Sequence, residues 1–367
     1  MAGANKGRIN MRVLLITGSY PPMKCGVGAY TQRLAMALAE VEGVKVTILT
    51  DERASEAQDS EGVDVLPVMS GWRLAELIRV SKLIKRLNPD VVHIQYPTQG
   101  YSGRLAVRLP LLIRLLGKSC VQTWHEPIVG KAGLWLAMGL DSLVIVKEEL
   151  MTHIPKLTRE ALFGKKITWI HGASLLPTVV LSDQERSKIR EQYTSGDEIL
   201  LAYYGFVAPL KGLEFLLEIV SKTDVRLLLA CDFLSDDNYH KSLLDQIEAM
   251  GIAPRVHITG FLPNEKLASI LAASDAVVLP FRDGARAWNT SIDAAVAQGT
   301  FVLTTSLAGE GYDTVKNIYY AKPGNTKEMI SAIQKYAGMH VLCKLSTSEW
   351  QNIAQKHLNI YKQLVAQ

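Results

Sequence analysis

Cysteine is scarce in this sequence: Cys25, Cys120, Cys231 and Cys343 are scattered through 367 residues. No two have the spacing of a zinc site or a disulfide framework, which argues against both. Cys25, beside Gly26, reads either as a reactive thiol or as an ordinary small loop residue. Long apolar runs are also missing. Arg108 and Arg114 interrupt one candidate and Asp141 another, so no membrane span is predicted. Residues 1–10 are polar and the apolar stretch after them is too short for a signal peptide, which predicts a cytoplasmic protein. The His, Asp and Glu residues show no metal-ligand spacing. Aromatics make up only 7% of the chain and form no stacking platform among the basic residues, which argues against nucleic-acid binding.

What is present is ample apolar material, 48% of a chain too long for one growing core, so two domains are expected. Net charge is +4, unevenly spread: residues 1–172 carry 22 Lys and Arg against 15 Asp and Glu, and residues 173–367 carry 18 against 21. A basic first half suits an anionic partner or membrane surface. Residues 72–87 and 104–118 are cationic apolar segments. Each reads as an interfacial helix or as a helix packed on a sheet with its charges outward.

Strand-like runs alternate with helical patterns, which predicts βαβ units and parallel sheets. Residues 13–17, 44–49, 91–95, 120–124, 142–146 and 167–170 form one series of strands. Residues 199–204, 225–230, 256–259, 276–279 and 300–304 form another. The stretch 172–183 has little periodicity and reads as the linker. The expected organisation is an N-terminal Rossmann-like domain over 1–175, a C-terminal one over 176–345 and a last helix over 346–367. The ligand is expected at the carboxyl ends of the strands, where the strand-to-helix loops gather.

Residues 275–305 carry most of the functional signal. A short valine-rich strand leads through Phe281-Arg282-Asp283-Gly284 to Asn289, Thr290 and Ser291, all good N-cap residues for the following helix with Asp293. A helix start presents unpaired N–H groups and partial positive charge, which suits a diphosphate. Upstream, Tyr204-Gly205-Phe206-Val207-Ala208-Pro209-Leu210-Lys211-Gly212 puts a lysine just before a helix, where the dipole disfavours an idle cation. Gly26-Val27-Gly28 follows the first strand, where missing side chains permit positive φ and let backbone N–H groups approach a phosphate or sugar oxygen. It lacks the third glycine and the acid of a dinucleotide fingerprint, so a nicotinamide cofactor is not expected.

Taken in order, Pro21 to Tyr30, Gly205 to Gly212, Gly260-Phe261 with residues 267–274, the 275–305 segment and the final helical pattern resemble the family 4 retaining glycosyltransferases. The resemblance covers nearly the whole chain. It implies the GT-B fold, two Rossmann-like domains facing across a cleft with the last helix crossing back to the first. It implies a nucleotide-diphosphate sugar as donor, a glycan or lipid-linked acceptor, retention of anomeric configuration, and no bound metal or cofactor.

By the same resemblance Lys211 grips the diphosphate, Asp293 accepts hydrogen bonds from the ribose hydroxyls, and His125 contacts the donor sugar or reacting phosphate. Gly26, Gly28, Gly205, Thr290 and Ser291 line the donor. His93, Gln95 and Tyr96 fall on the acceptor side. Each of these residues also has a plainer reading, as a solvated charge, a first-turn acid or a packed strand-end histidine. The family's usual arginine beside Gly205 is Phe206 here, and the first acid of its paired-acid motif is Ala285. Arg282, Asp283 and Arg286 are candidates to substitute for them, as in a subgroup with Phe-x-Asp-Gly and a downstream arginine. The alternative is a catalytically silent GT-B protein acting as a binding or scaffold subunit.

Overall fold

A computed structural model describes residues 10–128, 130–286, 289–341 and 349–366, and the protein divides into two compact units. The first comprises residues 1–173 with 347–367, and the second residues 174–346. Cys343 and the first nine residues lie outside the described residues.

In the first unit the chain runs β1 (Met11–Ile16), α1 (Gly26–Ala39), β2 (Val44–Asp51), β3 (Val63–Met69), α2 (Leu77–Leu87), β4 (Val91–Tyr96), α3 (Leu109–Leu115), β5 (Ser119–Trp124), α4 (Ala132–Ala137), β6 (Ser142–Ile145), α5 (Lys156–Ala161) and β7 (Lys166–Trp169). The strands form one sheet in the order β3-β2-β1-β4-β5-β6-β7, and every pairing is parallel. A parallel strand covered on both faces needs apolar residues at successive positions, which explains why Val13 to Ile16 are all buried. The order reverses between β1 and β4, so the loops leaving those two strands flank a topological switch point.

The segment α3 is a short packed helix in which Leu109, Pro110, Leu112 and Ile113 are buried, so the packed reading of residues 104–118 holds there. Helix α2 differs. Val80 and Ile84 anchor it to the sheet, while Leu74, Leu77 and Ile78 are exposed beside Arg73, Arg79 and Lys82.

In the second unit the chain runs α6 (Asp183–Arg190), β8 (Leu200–Tyr204), α7 (Leu213–Lys222), β9 (Arg226–Ala230), α8 (Asn238–Ala249), β10 (Val256–Ile258), α9 (Asn264–Ala273), β11 (Ala276–Leu279), α10 (Thr290–Val296), β12 (Phe301–Thr305), β13 (Gly311–Asp313), β14 (Ile318–Ala321) and α11 (Thr326–Tyr336). Its sheet has the order β10-β9-β8-β11-β12-β14-β13, parallel except for the β13–β14 pair. Here the switch point lies between β8 and β11. The core consists of the apolar strand residues with one face each of α7, α9 and α11.

The last helix, α12 (Glu349–Val365), belongs to the first unit and packs on α1. Its stripe Ile353, Ala354, His357, Leu358, Ile360 and Tyr361 is buried. Trp350 meets Tyr30 of α1 edge-on at 5.2 Å, and Gln351 donates to Glu40 at 3.1 Å. Two Rossmann-like units with a returning helix make the fold GT-B.

Candidate active site

Both switch points carry residues singled out from the sequence. In the second unit, β8 ends at Tyr204 and the chain turns through Gly205, whose φ is 119°. A short 3-10 turn, Pro209–Lys211, follows, and Lys211 N–H donates to the Ala208 carbonyl at 2.9 Å. Gly212 then adopts the left-handed conformation, φ 68° and ψ 34°, and serves as N-cap of α7. A Cβ at Gly212 would lie 2.1 Å from the Pro280 carbonyl oxygen, so glycine is demanded by backbone angle and by close approach together. This contact brings the lysine turn against the end of β11.

The chain leaving β11 binds that turn. Arg282 N–H donates to the Leu210 carbonyl at 3.0 Å, and Arg282 Nε donates to the Pro209 carbonyl at 3.2 Å. The Arg282 guanidinium pairs with the carboxylate of Glu214 in the first turn of α7. Tyr239 holds the same carboxylate, its hydroxyl donating at 2.8 Å. Arg282 is thus engaged by protein groups, and it fastens the Lys211 turn instead of standing open for a diphosphate. Lys211 itself is half-buried, with Nζ 4.8 Å from the centroid of the Phe281 ring.

Asp283 and Arg286 are exposed on the same loop, and Arg286 N–H donates to Asn289 Oδ1 at 2.6 Å. Residues 287 and 288 lie outside the described residues. Thr290 opens α10 in an exposed position, and Ser291 and Asp293 are half-buried in its first turn. The Tyr204 hydroxyl donates to the Ser291 carbonyl, which ties the start of α10 to the end of β8. Burial, with Asp293 nearby, pushes the Tyr204 hydroxyl far up, so it stays protonated and remains a donor. Gly205, Lys211, Asp283, Ser291 and Asp293 therefore cluster around one end of the sheet. Ala285 packs on the core, and Phe206 is partly exposed.

In the first unit, the expected positive φ at Gly26 and Gly28 does not occur. Both lie in the first turn of α1, and neither has a left-handed backbone. Glycine at 28 is explained by proximity instead, because a Cβ there would sit 2.8 Å from the Ser19 carbonyl oxygen. Gly26 is exposed, with open space where its Cβ would be. Cys25 is the buried residue just before α1, and Cys120 and Cys231 are free and buried as well.

His93 and Gln95 within β4 and His125 just past the end of β5 form one hydrogen-bonded chain. His125 Nε2 lies 2.8 Å from Gln95 Oε1, and Gln95 Nε2 lies 3.2 Å from His93 Nε2. With the amide so placed, His125 Nε2–H donates to Gln95 and His93 Nε2 accepts, leaving His93 Nδ1–H to donate to the Tyr361 hydroxyl oxygen at 2.6 Å. Thr123 Oγ1 is 2.8 Å from His93 Nε2. His93 is fully buried with protein partners on both ring nitrogens, so it docks α12 and does not face an acceptor.

His125 is 9% exposed, its ring edge-on to Tyr30 at 4.7 Å. Burial, and then His357, drives the His125 pKa down to about 3, so the ring is neutral at neutral pH. Tyr96 is half-buried, stacked on Tyr101 at 5.7 Å. Sequence reasoning did not single out Glu214, Tyr239, Thr123 or Tyr361 as partners of these groups. Only the apolar stripe of α12 hinted at the last.

Among the described residues, no group of three or more His, Cys, Asp or Glu side chains is placed to hold a metal ion. No described helix is long and apolar enough to cross a membrane.

The pattern of Glycosyltransferase Family 4 matches residues 25–181, and that of the glycosyl transferases group 1 matches residues 198–338, one on each unit. The chain is a family 4 type glycosyltransferase. This glycosyltransferase is 23% identical over 290 residues to a GDP-mannose-dependent alpha-(1-6)-phosphatidylinositol monomannoside mannosyltransferase of Mycolicibacterium smegmatis, spanning 74% of this chain and 72% of that one. Among solved structures it resembles sucrose-phosphate synthase from Thermosynechococcus elongatus, with TM-score 0.75, 17% identity and coverage of 97% and 100% of the two chains. It also resembles Anabaena HepE in complex with UDP and glucose, with TM-score 0.67, 16% identity and coverage of 97% and 96%. At such identities these likenesses speak to the fold alone.

Proposed function

We propose that this glycosyltransferase moves a hexose-type sugar from a nucleotide-diphosphate donor to a glycan or lipid-linked acceptor, with retention at the anomeric carbon. The observation that carries the reading is Lys211. A half-buried cation is fixed at the sheet's switch point by a left-handed glycine and by the bonds from Arg282. The bond from C1 to the diphosphate oxygen breaks with its electron pair going to that oxygen, and Lys211 offsets the charge as it builds. The acceptor oxygen bonds to C1 from the same face and passes its proton to the departing phosphate oxygen, so no dedicated base is required.

Asp293 accepts from the ribose hydroxyls, and the first turn of α10, with Thr290 and Ser291, faces the phosphates. Asp283 and Arg286 take the parts that Ala285 and Phe206 leave vacant. Neutral His125 is a fixed hydrogen-bonding group for the donor sugar or the reacting phosphate, held by the buried amide of Gln95, and Tyr96 lies on the acceptor side. No metal or cofactor takes part. The mannosyltransferase relative, whose name specifies GDP-mannose and phosphatidylinositol monomannoside, supports a nucleotide-sugar donor and a lipid-linked acceptor here.

The test is incubation with a panel of nucleotide sugars in the presence of EDTA. Slow donor hydrolysis that Lys211→Ala abolishes supports the reading, and absence of both binding and turnover across the panel defeats it. An inverted anomer, read by NMR, defeats retention.

We also propose that the protein works at the cytoplasmic face of a membrane, held peripherally by α2. Exposed Leu77 and Ile78 open α2 one turn after exposed Leu74, beside Arg73, Arg79 and Lys82, the mixture that anionic lipid attracts.

A further inference from the structure

Every carbonyl from Phe206 to Leu210, the run that leads into Lys211, accepts a hydrogen bond. Phe206 C=O accepts from the Tyr203 hydroxyl at 2.8 Å, and Val207 C=O from His240 Nε2 at 3.1 Å. Ala208 C=O accepts from Lys211 N–H at 2.9 Å. Pro209 C=O accepts from Gly212 N–H at 3.3 Å and from Arg282 Nε at 3.2 Å, and Leu210 C=O from Arg282 N–H at 3.0 Å. Tyr203, Lys211 and Gly212 are local donors and Arg282 comes from the loop after β11, whereas His240 reaches in from α8.

His240 is 4% exposed and lies in the first turn of α8. Asp237 caps that helix, its Oδ1 accepting from Tyr239 N–H at 2.8 Å and from His240 N–H at 3.2 Å, which fixes the backbone that carries the ring. The ring stands edge-on to Phe233 at 5.7 Å, and its Nδ1 accepts from Leu234 N–H at 2.7 Å. A backbone N–H can only donate and a carbonyl can only accept, so the two partners set the tautomer, with the proton on Nε2 and Nδ1 bare. One imidazole thus spans from the connection after β9 to the connection after β8. The residue before it, Tyr239, holds the Glu214 carboxylate that pairs with Arg282. The first turn of α8 therefore braces the Lys211 turn on both sides, at Val207 and at the start of α7.

We propose that His240 is a positioning residue for sugar transfer: its bond to the Val207 carbonyl holds the Lys211 turn in register, so that the ammonium stays where the departing diphosphate needs it. The inference rests on the reading of Lys211 as the diphosphate site. A charge acts on the breaking bond only from the right place, so a shift of about 1 Å in the turn is costly even though His240 does not touch the donor.

The test compares His240→Asn, His240→Gln and Lys211→Ala in the full chain, with the nucleotide sugar that the parent protein turns over fastest. Asparagine brings its amide oxygen to the place of Nδ1, keeps the bond from Leu234 N–H and is too short for Val207. Glutamine brings its amide nitrogen to the place of Nε2 and keeps the bond to Val207. His240→Asn is expected to lower kcat/KM about 10- to 100-fold, and His240→Gln to recover most of that loss. Melting curves show that each variant is folded. Equal losses in the two variants, or His240→Asn within about twofold of the parent protein, overturn the proposal. Nitrogen NMR of the parent imidazole adds a readout that needs no variant: a protonated Nε2 and a bare Nδ1 are expected, and the reverse tautomer overturns the proposal. Loss of turnover in Lys211→Ala without loss in His240→Asn defeats this inference and leaves the function standing. Parent-level turnover in Lys211→Ala defeats both.

Discussion

Arg282 and Glu214 form an ion pair across 68 positions of sequence, and it joins the loop after β11 to the first turn of α7. Arg282 is about half exposed and Glu214 about one-fifth exposed, so the pair adds little to stability, on the order of 1 kcal/mol or less. Its value is in position, since the residues it joins bracket Lys211. Replacing Arg282 by Ala is expected to lower kcat/KM about tenfold with a small change in melting temperature, and Arg282→Lys to recover part of the loss. Steady-state kinetics beside a melting curve read both. Equal loss of activity and of folded protein would mean the pair is only structural.

Lys211→Ala removes the charge proposed to face the leaving group. The expected cost is about 3 kcal/mol of transition-state energy, a fall in turnover of about a hundredfold or more. Circular dichroism and melting should be unchanged, because the side chain is half-buried and its turn is held by backbone bonds.

Gly212→Ala tests the same corner from the backbone side. A methyl group there must adopt φ near 68° and displace the Pro280 carbonyl, so a destabilisation of about 1–3 kcal/mol is expected. Urea unfolding followed in the second unit measures it.

Acid should loosen the first unit. His125 and His357 have pKa values lowered to about 3 and about 4, chiefly by burial, and His93 lies well below its usual 6.5 for the same reason. Unfolding frees these rings to take up protons near pH 6.5. The unfolded chain therefore binds more protons than the native one between that pH and the depressed values, and stability falls as pH drops through this window. Melting temperatures from pH 7.5 to pH 4.5 should show the decline. The slope should be shallower in His357→Gln, which removes one of the buried rings.

Membrane binding is read by sedimentation with anionic vesicles. Binding is expected at low salt and is expected to fall as salt screens the cations of α2. Ile78→Glu should weaken it at every salt concentration. Failure of the parent protein to sediment at low salt would rule out the lipid contact.

Strands buried on both faces are legible in the sequence because a short apolar run such as Ala276–Leu279 has no other reading in an alternating chain. Strand β3 is not legible. It lies at the sheet edge, where Pro67 is tolerated, and its register slips against β2 between Thr50 and Asp51. The pair β13 and β14 escapes because one is three residues long and the two run antiparallel, against the alternating pattern. The glycines at 26 and 28 read as a loop because spacing cannot distinguish a flexible turn from a helix start pressed on a carbonyl. The partners of Arg282 and His93 lie 68 and 268 positions away, a pairing that only the folded chain reveals.

Because His93 binds Tyr361, near the far end of the chain, the order of synthesis matters to the first unit. Residues 174–346 leave the ribosome and can complete their own sheet while the lobe begun earlier still shows bare the faces of α1 and β4 that α12 will cover. The first lobe to be translated is thus the last to be finished, and nascent chains stalled before residue 349 should attract chaperones to that uncovered surface.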